Sequence, residues 1–309
     1  MNCIGRIIAI ASLAIVHSSC GTNSQENGAS GANADFLPSH LAEEPTIKIH
    51  LWNGNRTESR RLYEVELLEN ILAATSHQFG TADLVIDNQN FSTAQGEGSV
   101  LDNGADLLIT IAGNQKFDGH DKIALPEPIA KGILGYRLPI IRQASSEVFA
   151  QIEHPEQLKA LSTGVPETWF DAQLFRINGY EVVERGTFDN LFPLLKSGEF
   201  DYATLGVNEV EVAFDNMAAD LGGLEIESEL MVYYPYPLIF YVNAENPALA
   251  KRIKIGIAAL KSNGRFDEIF LKHHGDIIKR LDLKHRRLFE LENPALPEYL
   301  QGFESGFLG

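Results

Sequence analysis

The chain has 309 residues, 42 acidic and 25 basic, for a formal charge of −17; apolar residues make up 44%, charged residues 22%, and there are two cysteines. The apolar content excludes a mostly disordered chain, and the length provides for about two domains with cores of their own. The acidic balance argues against non-specific nucleic-acid binding, and two cysteines cannot build a disulfide-dense scaffold or a four-cysteine metal knot.

Residues 1–20 read MNCIGRIIAIASLAIVHSSC. Arg6 precedes an apolar run, Ile7 to Val16, that is too short to span a bilayer but suits the core of a signal peptide. Residues 1–19 are therefore expected to be a signal peptide sending the chain to a bacterial periplasm or cell envelope. Residues 20–45 are rich in Gly, Ser, Asn and Ala without apolar periodicity, and read as a disordered tether. Cys20 resembles the lipidated cysteine of a bacterial lipoprotein. Ser19 and Gly21 suit that reading, His17 departs from the usual Leu, and cleavage after Ser18 is the competing reading. Acyl chains on Cys20 would hold the protein at a membrane without a spanning helix.

From residue 46 onward strands and helices alternate. Residues 46–52 (TIKIHLW) alternate apolar and polar side chains, which predicts a strand. Leu62, Val65, Leu68, Ile71 and Leu72 recur at helical spacing within 61–74. A strand is expected over 82–87, and a short helix from Ser92 to about residue 103. Residues 105–112 (ADLLITIA) form a continuous apolar strand of the kind covered on both faces. A second unit starts near Gly135, with strands over 136–141, 162–165, 181–183 and 200–205. Its helices are expected over 155–161, 171–178 and 188–197, with another from Asn208. Pro235 and Pro237 interrupt the apolar run 230–242. An amphipathic helix follows over 248–263, and another begins near Arg265. No internal repeat of fixed period is present.

Three stretches carry a family resemblance: NPALAKRIKIGIAALKSNGRFDEIFLKHHGD near the C-terminus, GYEVVERGTFDNLFPLLKSGEFDYATLGVNEV before it, and ADLLITIA followed by KIALPEPIAKGILGYRLPIIR. In this order they resemble the type 2 periplasmic binding proteins, specifically the extracellular solute-binding proteins of family 3. The resemblance implies an α/β fold of two lobes, each a mixed sheet with helices on both faces, joined by two hinge crossings. Residues 46–131 and 241–309 would form lobe one, and residues 132–240 lobe two with the crossings. The function implied is capture of a small polar solute between the lobes for an ABC-type permease or a sensor, with no cofactor.

Within that frame, ligands are expected beyond the carboxyl ends of the strands. Trp52 follows the first strand and either stacks on a ligand or fills the core. Thr110 either orients a ligand or packs under a helix. In STGVPETWFDA a helix start would offer free N–H groups to an anion, with Thr168 adding a hydroxyl and Trp169 an aromatic wall. Asn208 and Glu209 either contact ligand, Glu209 facing an ammonium group, or merely begin a helix. Amino-acid binders of the family usually carry an Arg after the strand matching ADLLITIA. Here GNQKFDGHDK offers Lys116 and His120 instead, and Lys cannot reproduce the planar fork of Arg. The ligand class therefore stays open.

No nucleophile elbow, HExxH or phosphate loop is present. An enzyme on the same scaffold, such as a dehydratase or transferase acting on a small acid, would have to draw on Glu167, Glu209 and His120. An envelope interaction protein with a degenerate cleft is the third reading. His273 and His274 are adjacent and make a poor chelating pair, and the basic stretch 272–287 reads as a solvated face.

Overall fold

The structure, a computed structural model, describes residues 46–306, all of which fall in one compact unit. The expected signal peptide, Cys20 and the tether lie outside the described residues. Twelve strands follow in chain order: β1 (Ile47–Trp52), β2 (Ala82–Asp87), β3 (Leu107–Ile111), β4 (Lys122–Ala124), β5 (Tyr136–Arg142), β6 (Ser162–Val165), β7 (Glu181–Glu184), β8 (Tyr202–Gly206), β9 (Leu224–Ile226), β10 (Leu230–Tyr233), β11 (Leu238–Asn243) and β12 (Arg287–Glu290). They form two mixed sheets. The first has the order β2-β1-β3-β11-β4, with β1 parallel to β2 and β3, and β11 antiparallel to β3 and β4. The second has the order β12-β10-β5-β8-β6-β7, with β9 beside β5.

Strand alternation explains why the first sheet is covered on both faces. Ile49, Leu51, Leu107, Ile109, Phe240 and Val242 point to one face, where the helices Glu58–Ala74, Pro247–Ser262 and Arg265–Arg280 pack. Trp52, Leu108, Ile239 and Tyr241 point to the other, against Val100, Leu101, Phe117, Leu296 and Leu300. The helices Glu58–Ala74 and Pro247–Ser262 approach closely at Gly256, where a Cβ would stand 2.9 Å from the Ile71 carbonyl oxygen.

The chain passes between the sheets through a turn at Ile133–Gly135 and again through Tyr234–Pro237, the stretch where the two prolines interrupt the apolar run. The two crossings lie side by side. Tyr234 N–H donates to the Gly135 carbonyl (3.2 Å), and a side chain at Gly135 would collide with the Tyr234 carbonyl oxygen at 2.2 Å. The C-terminal stretch departs from the expected lobe division. β12, placed in lobe one by the sequence reading, pairs in parallel with β10 in the second sheet. Beyond it the chain returns to the first sheet, where Leu296 and Leu300 bury beside Trp52. On the way, Asn178 Nδ2 donates to the Glu292 carbonyl (2.8 Å) and Glu292 N–H donates to Asn178 Oδ1 (2.9 Å). The four residues of β12 start at the end of the basic stretch read as a solvated face and carry little periodicity, so the pairing with β10 is what reveals them. The short strands β4 and β9 went unpredicted for the same reason.

Among the described residues no helix is long and apolar enough to cross a membrane.

His274, on the helix Arg265–Arg280, is buried between Tyr63 (ring centroids 4.8 Å) and Phe270 (5.0 Å). Burial, helped by neighbouring His273, pushes its pKa down to about 3. Unfolding therefore binds a proton at His274 at any pH between its unfolded value of about 6.5 and its folded value. Stability is lost as the pH falls through that window, by up to about 1.4 kcal/mol per pH unit from this group. Urea denaturation of His274→Leu at a series of pH values is expected to show a shallower decline from pH 6 to pH 4 than the parent protein.

Candidate ligand-binding site

A cleft of about 830 Å³ opens between the two sheets. Its walls come from loops beyond the carboxyl ends of the parallel strands: residues 55–57 and Arg60 after β1, 114–116 after β3, 166–173 after β6, and Glu209 after β8, with Arg137 and Tyr236 at the crossings. This is the place where such sheets leave helix starts and loops unpaired.

On the first sheet's side, the helix Glu58–Ala74 begins at the cleft. Its N-cap residue Thr57 makes no side-chain capping bond, and Thr57 and Arg60 line the cavity. Glu64, one turn in, is 1% exposed and binds two guanidinium groups. Arg56 Nε lies 2.9 Å from Glu64 Oε2; Arg60 donates to Glu64 Oε1 through Nε (3.2 Å) and Nη2 (2.8 Å). Arg56 also donates to the carbonyls of Gly54 and Ile109, and its guanidinium lies 4.8 Å over the Trp52 ring. Burial pushes Arg56 down to about 10 against the pull of Glu64, which leaves it charged at neutral pH. Burial also opposes the charge on Arg60, but Glu64 and then Glu209 outweigh it and raise its pKa. Lys116 extends this wall and is paired with Glu97 at 2.8 Å.

At the crossings a second buried cluster forms around Arg137, 2% exposed at the start of β5. Arg137 Nη2 lies 2.7 Å from Asp171 Oδ1, and Nη1 lies 3.6 Å from Glu209 Oε1. Asp171 also accepts from the hydroxyls of Tyr234 (2.5 Å) and Tyr236 (3.1 Å). Burial opposes the Arg137 charge, but Asp171 and Glu209 outweigh it and raise its pKa; burial raises both tyrosines. The network joins the first crossing to the second and to the helix Phe170–Ile177.

The second sheet's wall is acidic and aromatic. Glu167, Asp171, Glu184, Asp189 and Glu209 line it against Arg137 and Arg176. Trp169 stacks on Phe188 (5.5 Å, 28°), and Phe170 on Tyr236 (6.3 Å, 18°). Thr168 sits at φ +70° in the turn closed by Trp169 N–H donating to the Pro166 carbonyl (3.3 Å). A β-branched residue rarely adopts that conformation, and such strain concentrates at ligand-binding loops.

Five of the sequence candidates meet here: Thr110, Lys116, Thr168, Trp169 and Glu209 all line the cleft. Two do not. Trp52 is 1% exposed, turned into the core by strand parity, and donates its indole N–H to the Gln89 carbonyl (2.9 Å). Asn208 is buried behind the wall, with its carbonyl accepting from Ser59 Oγ (3.0 Å). The helix expected near Thr168 begins at Phe170, because Thr168 is spent in the turn. The pieces named for an enzyme do not converge: His120 Nδ1 lies 2.5 Å from Asp102 Oδ2 and does not line the cleft. Among the described residues no cluster of three His, Cys, Asp or Glu could hold a metal ion.

Sequence reasoning missed Arg56, Arg60, Glu64 and Arg137. Thr57 followed by Glu58 is a helix-start signal that would have moved the helix back by one turn and brought Arg60 into view. Arg137 sat inside an apolar strand, where an isolated charge is itself a signal of a buried partner.

Replacing Arg137 by Met leaves Asp171 and Glu209 without their cation. Chemical denaturation at pH 7 is expected to show a loss of about 3–5 kcal/mol, the usual result of breaking a buried pair from one side.

No protein-family model matches the sequence, and a search of curated proteins finds no match. Solved structures do match. The "probable amino-acid ABC transporter extracellular-binding protein" ytmK of Bacillus subtilis aligns at a TM-score of 0.54 and 14% identity, over 75% of this chain and 99% of that one. An arginine-specific periplasmic binding protein of Salmonella typhimurium aligns at 0.51 and 14%, over 74% and 99%. A histidine kinase sensor domain with similarity to periplasmic binding proteins aligns at 0.51 and 16%, over 75% and 97%. Two mixed sheets, paired crossings and a cleft between them, together with these likenesses, establish the two-lobed fold of the type 2 periplasmic binding proteins.

Proposed function

We propose that the protein is an exported solute-binding protein that captures a small polar solute between its lobes and presents it to an ABC-type permease or a sensor. The observation that carries this reading is the cleft itself. It is roomy, both lobes contribute charged side chains to it, and the crossings lie side by side at its base. A solute touching both walls favours the closed arrangement by its contacts with each, which is how binding becomes a signal to a partner. No catalytic step belongs to this reading.

The structural neighbours include a transporter binding protein and a sensor domain, which supports either partner. Two neighbours are named for amino acids, and the segregated charge of this cleft suits a solute with both an anionic and a cationic group. The contacts would nonetheless differ from the arrangement expected from sequence. Lys116, in the stretch where the family usually has its carboxylate-gripping Arg, is tied to Glu97. Lipid anchoring through Cys20 completes the proposal and would keep the protein beside its membrane partner.

A thermal-shift screen of amino acids, small acids, amines and oligopeptides tests the core of the reading. A ligand at 100 times its Kd adds about 2.7 kcal/mol, which for a chain of this size raises Tm by roughly 5 °C or more. Small-angle scattering should show compaction with the same compound. A flat screen together with unchanged scattering would sink the proposal. For the anchor, expression in a bacterial host with labelled fatty acid is expected to label the parent and not Cys20→Ser; an unlabelled parent refutes it.

A further inference from the structure

After β12 the chain does not stay in the second lobe. The helix Arg265–Arg280 packs on the first sheet, β12 pairs in the second, and residues 291–305 return to the first, so the described residues pass between the lobes four times. The third passage is fastened by Arg286, which donates to the Leu281 carbonyl (2.8 Å) at the end of that helix and to the Leu230 carbonyl (3.2 Å) of β10. The fourth runs beside the second crossing. It begins where Leu291 N–H donates to the Tyr233 carbonyl (2.7 Å) and where the Glu292 backbone exchanges two hydrogen bonds with the Asn178 side chain.

From Ala295 onward the segment is anchored in the first lobe. Ala295 passes so close to Gly113 that a Cβ there would stand 2.7 Å from its carbonyl oxygen, and Leu296 and Leu300 are buried with Trp52 and Leu108. Past them, Ser305 Oγ donates to the Lys131 carbonyl (2.8 Å), and Phe303 and Ser305 cover Gly132 at the start of the first crossing. Between the two sets of anchors lies one tight turn, Asn293 to Leu296. Leu296 N–H donates to the Asn293 carbonyl (3.2 Å) and Ala295 N–H to Asn293 Oδ1 (3.1 Å). Asn293 Nδ2 pins the turn to the Pro235 carbonyl of the second crossing (2.8 Å). Asn followed by Pro suits the first two positions of such a turn.

We propose that residues 291–305 form a strap that limits how far the two lobes part in the unliganded protein, with the turn from Asn293 to Leu296 as its clasp. A segment anchored in both lobes permits only the separation that its connecting residues can span. From Glu292 to Ala295 that is at most about 11 Å, even with the turn pulled straight. Straightening it gives up the hydrogen bonds that Asn293 holds to Ala295, Leu296 and Pro235. Small lobe excursions therefore leave the clasp intact, and large ones break it. An open state restricted in this way loses less conformational freedom on closing, which favours capture of a solute of any chemistry. The inference goes beyond the solute-binding reading, because it concerns the hinge and holds for an empty cleft.

The test measures the spread of lobe separations without solute. Spin labels at two exposed sites, Lys254→Cys in the first lobe and Glu147→Cys in the second, report it by pulsed electron paramagnetic resonance in a chain that also carries Cys3→Ser and Cys20→Ser. Inserting Gly-Gly between Asn293 and Pro294 breaks the turn, keeps the anchors on either side and adds up to about 7 Å of reach. The parent protein is expected to give one narrow distance distribution, and the insertion variant one broader by several ångströms. Asn293→Ala, which keeps the length and removes the pin, is expected to broaden it less. Circular dichroism and the urea midpoint establish that each variant is folded. A folded insertion variant with the parent's distribution overturns the proposal. If that variant does not fold, Asn293→Ala carries the test, and an unchanged distribution there overturns it. If neither folds, the segment is an element of the fold and not a limiter, and the proposal falls. A binding screen in which nothing binds removes the solute-binding reading and leaves the strap standing.

Discussion

The buried pair of Arg137 and Asp171 is the constraint on which the rest of this cleft depends. Arg137 stands where the chain first enters the second sheet, and Asp171 stands in the first turn of the helix that forms that lobe's wall. The hydroxyls of Tyr234 and Tyr236, from the returning crossing, complete the shell of the same carboxylate. One carboxylate thus registers three segments that are distant in sequence. A charge taken from water is tolerable only when its partners are all in place. The cluster therefore punishes any arrangement in which the crossings separate.

The opposite wall applies the same physics with different stoichiometry. Glu64 serves both Arg56 and Arg60 in the first lobe. Arg137 serves Asp171 and Glu209 in the second lobe, with the Tyr234 and Tyr236 hydroxyls also on Asp171 and Glu209 also acting on Arg60. The two clusters face one cavity. The chain's overall acidity has little bearing on this, because buried pairs at short range outweigh distant surface charges screened by salt.

How much of this was legible in the sequence depends on how local each feature is. The strands at 47–52, 82–87 and 107–111 announced themselves by alternation or by apolar runs, and Pro235 with Pro237 marked the second crossing. The helix Glu58–Ala74 was recognised only from residue 61, since its opening residues, Glu-Ser-Arg, have no apolar periodicity to read. That lost turn contains Arg60. Trp52 was open between ligand and core until strand parity placed it against Phe91 and Leu108 on the covered face. Strand β12 was invisible because its identity lies in the pairing with β10, more than fifty residues away.

The sequence by itself determined the alternation of strands and helices, the family to which that order is similar, and most of the loops that line the cleft. These follow from periodicity and turn chemistry, which act over a few residues. Tertiary structure alone decided which charges meet. Arg60 with Glu64 is a neighbour pair on one helix, but that Arg56 shares the same carboxylate, that Arg137 spans Asp171 and Glu209, and that Lys116 is spent on Glu97 are facts of three-dimensional proximity. Coulomb interactions depend on distance in space and on burial, and neither can be read from order along the chain.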